Sequence, residues 1–157
     1  MNDDLPHPQH RPRRLRRTAA LRALVRETHV PRDALVQPLF VVQSTDQAGP
    51  IAAMPGVNRV TLDGLDREID AVVESGVGAV LLFGVPAVKD ATGSRAADPA
   101  GIVPLAVRRV RDRAPNLAVL TDVCVCSYTD HGHCGVLHGE SVANDRTLAV
   151  LAQSAVA

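Results

Sequence analysis

Three largely apolar runs constrain the fold of this chain more than any other feature: Leu35–Val42, Ala79–Phe83 and Leu117–Val123. None alternates polar with apolar residues, so each reads as a strand covered on both faces, as parallel sheets require. Between the runs the apolar spacing changes to three and four. Leu65, Ile69, Val72 and Val73 share a helical face that Gly76 and Gly78 stop. Ala106, Val107 and Val110 share another, with Pro104 expected as a first helical residue and Pro115 as the interruption. A last stripe, Leu148, Leu151, Ala152 and Ala155, follows Asn144 as the expected cap and Asp145 in the first turn. Strand, helix, strand, helix, strand, helix is the order of right-handed crossovers. A closed eight-stranded barrel needs about 250 residues, so three strands mean a small open sheet or the front part of a larger protein.

Pro38 lacks a ladder donor and fits the first part of its strand or a bulge better than a fully bonded middle. Residues 43–61 read as a polar connection, with Gly49-Pro50 and Pro55-Gly56 as turn signals. Gly84 is expected to end the second strand, and a Gly-, Ala- and Asp-rich loop runs from Val88 to about Gly101. Near the N-terminus, Leu21, Leu24 and Val25 predict a short helix, and residues 1–14 read as a disordered or partner-bound arm.

Composition narrows the class. The chain is 46% apolar and 22% charged, with no Trp, one Tyr and two Phe. Its core must therefore be built from Val, Leu, Ile and Ala, which suits strands alternating with helices better than an aromatic-anchored sandwich. Net charge is zero, yet Arg11, Arg13, Arg14, Arg16 and Arg17 crowd the start. Such an arm suits an anionic surface or a partner subunit. No aromatic platforms accompany the charge, which weighs against nucleic acid. No apolar run approaches eighteen residues, so no membrane-spanning helix is expected, and the polar, proline-containing start does not resemble a signal peptide. A cytoplasmic protein is expected, in a reducing compartment that keeps its thiols available as ligands.

All three cysteines lie within one run, Asp122-Val-Cys124-Val-Cys126-Ser-Tyr-Thr-Asp-His131-Gly-His133-Cys134. If the backbone stays extended from 121 to 126, Asp122, Cys124 and Cys126 share one side, and Gly132 gives slack for Cys134 to return as a third ligand. Three thiolates favour zinc. A structural site would close with His131 or His133 as a fourth ligand, whereas a catalytic site would leave that place open. The spacing C-x-C-x7-C is not a paired CxxC knuckle, and it follows a strand end, where parallel barrels gather catalytic groups, so the open form is expected. The alternatives are buried, unliganded thiols at Cys124 and Cys126, loop histidines that orient a ligand, and an Asp122 that satisfies only backbone.

The run DVCVCSYTDHGHCGVL closely resembles the metal-binding signature of the porphobilinogen synthase (delta-aminolevulinic acid dehydratase) family. The likeness extends to RPRRLRR, VQPLFV, AAMPGVNRVTLDGL, GVGAVLLFGVP with VKDATGS, and NDRTL. It implies an α/β fold of the TIM (β/α)8 barrel family, here an incomplete N-terminal part of about three β/α units. Residues 1–17 would be the basic N-terminal arm and residues 18–157 the barrel part. It also implies a homo-oligomer, typically an octamer, that condenses two molecules of 5-aminolevulinate into porphobilinogen with loss of two waters. Cys124, Cys126 and Cys134 would hold Zn2+, Asp122 would support catalysis, and the full-length enzyme has a place for allosteric Mg2+. The arm would wrap a neighbouring subunit.

The family also uses two lysines that form imines with the substrates, both on later strands. The only lysine here is Lys89, in a polar loop and expected to be exposed. The sequence therefore reads as the N-terminal portion of a zinc-type enzyme, inactive by itself. The alternative is a small zinc-binding or partner-binding protein that keeps the site without dehydratase activity.

Overall fold

The computed structural model describes residues 11–157, so residues 1–10 of the expected arm lie outside the described residues. The chain divides into a unit ending at Pro31 and a larger one, Arg32–Ala157. In the first, Pro12–Arg16 forms a 3-10 turn and Ala19–Leu24 a short helix, α1. The Thr18 hydroxyl caps α1 by accepting the Leu21 N–H at 3.1 Å. The predicted stripe is there, but Leu24 is 81% exposed and Val25 44%.

The larger unit is an α/β structure around a mixed five-stranded sheet. Its strands are β1 (Val36–Val42), β2 (Gly49–Pro50), β3 (Asn58–Thr61), β4 (Ala79–Val85) and β5 (Ala118–Thr121), in the order β2-β3-β1-β4-β5. β1 runs parallel to β3 and β4, β4 parallel to β5, and β2 antiparallel to β3. Helices α2 (Leu65–Ser75) and α3 (Ile102–Arg113) make the crossovers into β4 and β5. Both pack on one face of the sheet, burying Leu39, Val41, Val80 and Leu82 against Leu65, Ile69, Val72, Ile102, Ala106 and Val110. The opposite face carries Phe40 and Phe83, cross-strand partners stacked with ring centres 4.9 Å apart. An apolar second face explains why the strands do not alternate.

Several expectations need correction. Residues 43–61 are not only connection: β2 and β3 lie within them, and β3 adds to the C-terminal half of β1, pairing with Phe40–Val42. Val60 packs against the main core, a single apolar residue among polar neighbours that gives no periodic signal. Gly84 does not end β4, which continues to Val85. A glycine is needed there because a Cβ would stand 2.8 Å from Tyr128 Oη and 2.9 Å from Ile102 Cγ2. α3 begins at Ile102 after Gly101, which puts Pro104 third in the helix, still within the turn where a missing N–H breaks no helical bond. The third strand is shorter than expected, Ala118–Thr121.

Pro38 is accommodated by register. The Gln43 N–H donates to Val85 O, so odd-numbered donors of β1 face β4 and Pro38 faces the β3 side, where pairing starts only at Phe40. After β5 come a short hairpin, β6 (Leu137–His138) with β7 (Ser141–Val142), and helix α4 (Asn144–Val156). Ala143, not Asn144, is the N-cap residue of α4, while Asp145 does sit in its first turn. Among the described residues no helix is long and apolar enough to cross a membrane.

Candidate metal centre

Parallel ordering brings the carboxyl end of β5 to the same edge as that of β4, and the cysteine run begins there. The Asp122 N–H still reaches Leu82 O at 3.3 Å, continuing the ladder one residue past β5. The chain then turns: the amides of Tyr128 and Thr129 both donate to Val125 O at 2.9 Å. The extended run expected to residue 126 is thus cut short at Val125. Alternation nevertheless survives where it matters, because Val125 is fully buried with Ala96 and Tyr128 while Cys124 and Cys126 stay half-buried on the other side.

Cys134 comes back to this pair. The sulfur atoms of Cys124, Cys126 and Cys134 all lie within 4.8 Å of one another, and Cys124 Sγ and Cys126 Sγ are 3.4 Å apart. Three sulfurs on one tetrahedral ion at about 2.3 Å would stand about 3.8 Å apart. The donor set therefore fits a metal ion with little movement. Two anchors set the return: Thr129, fully buried, donates from Oγ1 to His133 O at 3.0 Å, and the Val136 N–H donates to buried Thr147 Oγ1 at 3.0 Å.

The thiols are electrostatically unequal. Burial pushes Cys124 up, but hydrogen bonds from the Cys126 amide and from the Cys126 and Cys134 thiols outweigh it, leaving Cys124 below the usual thiol range. Burial, then Cys124 itself, pushes Cys126 up. The hydrogen bond to Cys124 and its charge push Cys134 up to about 11. An ionised Cys124 thus makes it harder for its neighbours to ionise, and a cation is what would let all three do so together.

The other predicted residues fall around this group. Asp122 is not one of the converging donors; it is half-buried and lines a cavity of about 240 Å³ with Thr121, Tyr128, Val103 and Arg108. Burial and then the Asp122 charge push Tyr128 up to about 12. Neither histidine joins the donor group among the described residues. His131 Nδ1 accepts the His133 N–H at 3.1 Å and its Nε2 donates to Ala91 O at 3.2 Å, which uses both ring nitrogens. Lys89 is exposed, as expected.

One contribution was not read from the sequence. Asp90 pairs with the cluster loop as an isolated bridge to Thr129, its N–H donating to Tyr128 O and its O accepting from the Asp130 N–H, both at 3.2 Å. Its carboxylate accepts from the Thr92 and Ser94 amides and hydroxyls. The signal is present as Asp90-Ala-Thr-Gly-Ser94, an Asx-turn composition with a glycine for the left-handed position, at φ +66° for Gly93. Only its destination was hidden.

The delta-aminolevulinic acid dehydratase family model matches residues 9–157. The chain is similar to the delta-aminolevulinic acid dehydratase of Halalkalibacterium halodurans, 46% identical over 156 residues, or 99% of this chain and 47% of that one. It is similar to that of Mycobacterium leprae, 48% identical over 155 residues, covering 96% of this chain and 47% of the relative. It is also similar to that of Ruminiclostridium josui, 43% identical over 146 residues, covering 93% and 71%. Among solved structures, the Toxoplasma gondii enzyme in complex with its reaction product porphobilinogen superposes with a TM-score of 0.87 at 32% identity, covering 97% of this chain and 44% of that one. The chain thus spans about half the length of most of these relatives. With a family match running through both the sheet and the three converging cysteines, the chain belongs to the delta-aminolevulinic acid dehydratase family.

Proposed function

We propose that this chain contributes the zinc-holding part of a (β/α)8-barrel enzyme that condenses two molecules of 5-aminolevulinate into porphobilinogen with loss of two waters. The observation that carries the reading is the convergence of Cys124, Cys126 and Cys134 just past the carboxyl end of a parallel strand in a chain of this family. The barrel is supported by α2 and α3 sharing one face of the sheet, since a closed barrel keeps its helices outside and its second strand face inside. Because the chain spans about half of most relatives, the reaction is assigned to the longer protein.

Cys124, Cys126 and Cys134 would hold Zn2+, the ion that three thiolates suit best. When bound it would supply polarisation of a substrate carbonyl or hydroxyl oxygen. Three thiolates would give that site a formal charge of minus one, so their share of the work is to position substrate more than to activate it. Asp122 would accept a hydrogen bond or take a proton beside the site. Tyr128, held neutral well above neutral pH, offers an O–H rather than a second negative charge. His131, with both nitrogens engaged by backbone, orients the loop rather than ligating. The imine-forming amines are not among these residues, Lys89 being exposed. Homo-octameric assembly through the basic arm, an allosteric Mg2+ and a cytoplasmic setting complete the proposal.

The solitary, exposed lysine favours a second reading, a zinc-binding protein without dehydratase activity. Metal analysis and X-ray absorption of the purified chain are expected to give one zinc with three sulfur neighbours; no bound metal overturns both readings. A chimera joining residues 1–157 to the remaining part of the Halalkalibacterium halodurans relative is then given 5-aminolevulinate. Pyrrole formation lost on Cys124→Ser supports the dehydratase reading, and a folded, zinc-loaded chimera that makes none leaves the second.

A further inference from the structure

We infer that the turn Asp90–Ser94, at least thirty residues before the cysteines, is the clamp that sets the spacing of the three thiols, with Asp90 as its positioning residue. The inference rests on the metal-site reading above and adds to it what makes the site converge.

Three links join the turn to the sulfurs. The Asp90 carboxylate accepts from Thr92 N at 2.8 Å and Oγ1 at 2.7 Å and from Ser94 N at 3.2 Å and Oγ at 2.5 Å, which closes the turn around Gly93. Gly93 then lies directly on the cluster loop: a Cβ there would stand 3.1 Å from Val125 Cβ and 3.4 Å from Thr129 Cγ2. Val125 is the residue between the first two thiols. The backbone of the turn holds the rest of the loop through the Asp90 bonds to Tyr128 and Asp130 and through Ala91 O, which accepts from His131. Thr129, bridged to Asp90 and lying beside Gly93, passes the constraint to His133 O, next to Cys134.

The cysteine loop has no regular structure between β5 and β6 to hold it. Of its two arms, Cys124–Cys126 is held against this turn through Val125, and Cys134 is tied to it through the Thr129 hydroxyl and His133 O. Loosening it would leave each cysteine intact and let the arms drift, which lowers metal affinity by about 10- to 100-fold, as loss of groups that orient ligands generally does.

The test uses the 157-residue chain, cobalt(II) as a spectroscopic probe and zinc competition against a chromophoric chelator. For Asp90→Asn we expect zinc affinity 10- to 100-fold weaker and thiolate-to-cobalt charge-transfer absorption reduced by about a third, as one of three sulfurs leaves, with far-ultraviolet circular dichroism unchanged. Thr129→Val, which removes the bond to His133 O, is expected to weaken zinc in the same direction. A merely structural turn would lower the melting temperature and leave the affinity and cobalt spectrum of the folded protein as in the parent; that result overturns the inference. Should Asp90→Asn fail to fold, Thr129→Val decides alone, and unchanged affinity and spectrum there also overturn it. If the parent chain binds neither metal, the metal-site reading itself fails and this inference with it, whereas a parent that binds and variants that bind equally well refute only the clamp.

Discussion

Thr147 joins Val136 across the end of the cysteine loop: its Oγ1 accepts the Val136 N–H at 3.0 Å while donating to Ala143 O at 2.8 Å. One buried hydroxyl therefore ties the segment two residues past Cys134 to the first turn of α4. Thr147→Val keeps the shape and removes the acceptor, leaving a buried N–H unpaired, so we expect a loss of about 1–3 kcal/mol. Urea unfolding of the two proteins checks it, and equal midpoints would mean that Val136 finds another partner.

Gly84→Ala tests the close approach of β4, α3 and Tyr128. The added methyl would meet the Tyr128 hydroxyl and the side chains of Ile102 and Val103, in a place where the backbone of a central strand cannot yield. Overpacking of this kind costs about 1–3 kcal/mol. Thermal unfolding should show the loss, and a melting temperature at or above the parent value would contradict the packing described.

Asp90 makes the stability of its turn depend on pH. Hydrogen bonds from the Ser94 hydroxyl, then from the Thr92 hydroxyl, hold its carboxyl far below the usual carboxylate range. The folded state thus binds this proton less readily than the unfolded state. Its contribution is complete above the ordinary carboxylate value of about 4 and declines as the pH falls below that toward the folded value. Denaturant unfolding between pH 6 and pH 3 should show a steeper loss in the parent than in Asp90→Asn; identical slopes would show that the carboxylate carries no such linkage.

Replacing any one of Cys124, Cys126 or Cys134 by serine removes a ligand rather than its support. We expect zinc affinity to fall by more than the roughly 100-fold upper end for changes that only disturb ligand orientation. Because Cys134 is exposed while the other two are half-buried, Cys134→Ser should also disturb folding least. Chelator competition and urea unfolding measure the two effects separately. A chain that binds zinc equally tightly without Cys134 would reduce the centre to a two-sulfur site.

Lys89 is exposed, whereas imine formation at neutral pH calls for a desolvated amine, so an imine there is not expected. Treating the chain with 5-aminolevulinate and borohydride, followed by peptide mass mapping, is expected to leave Lys89 unmodified. A reduced adduct there would place imine chemistry within these residues.

Much of this was legible beforehand because it depends on neighbours in the chain. The apolar runs identified β1, β4 and β5, the three-to-four spacing identified α2, α3 and α4, and Cys-Val-Cys placed two thiols on one side of an extended stretch with Val125 on the other. Element ends and short strands carry the weakest local signal. Gly84 reads as a breaker, yet β4 runs through it because Tyr128, Ile102 and Val103 need the space a side chain would take. β3 carries no period because only one of its four residues is apolar, and it is the vacant side of β1 that recruits it, with the two residues of β2 pairing in turn on β3.

The amino-acid sequence alone determined the parallel α/β class, the helix faces and the identity of the three sulfur donors, since periodicity and ligand chemistry act over a few residues. Tertiary structure alone decided the strand order, the placing of both crossover helices on one face, the seating of Asp122 beside Tyr128 instead of among the thiols, and the meeting of the Asp90 turn with the cysteine loop. Those relations join segments far apart in the chain, where the outcome depends on which surfaces exclude water together and which buried donors find acceptors, and no local pattern encodes that choice.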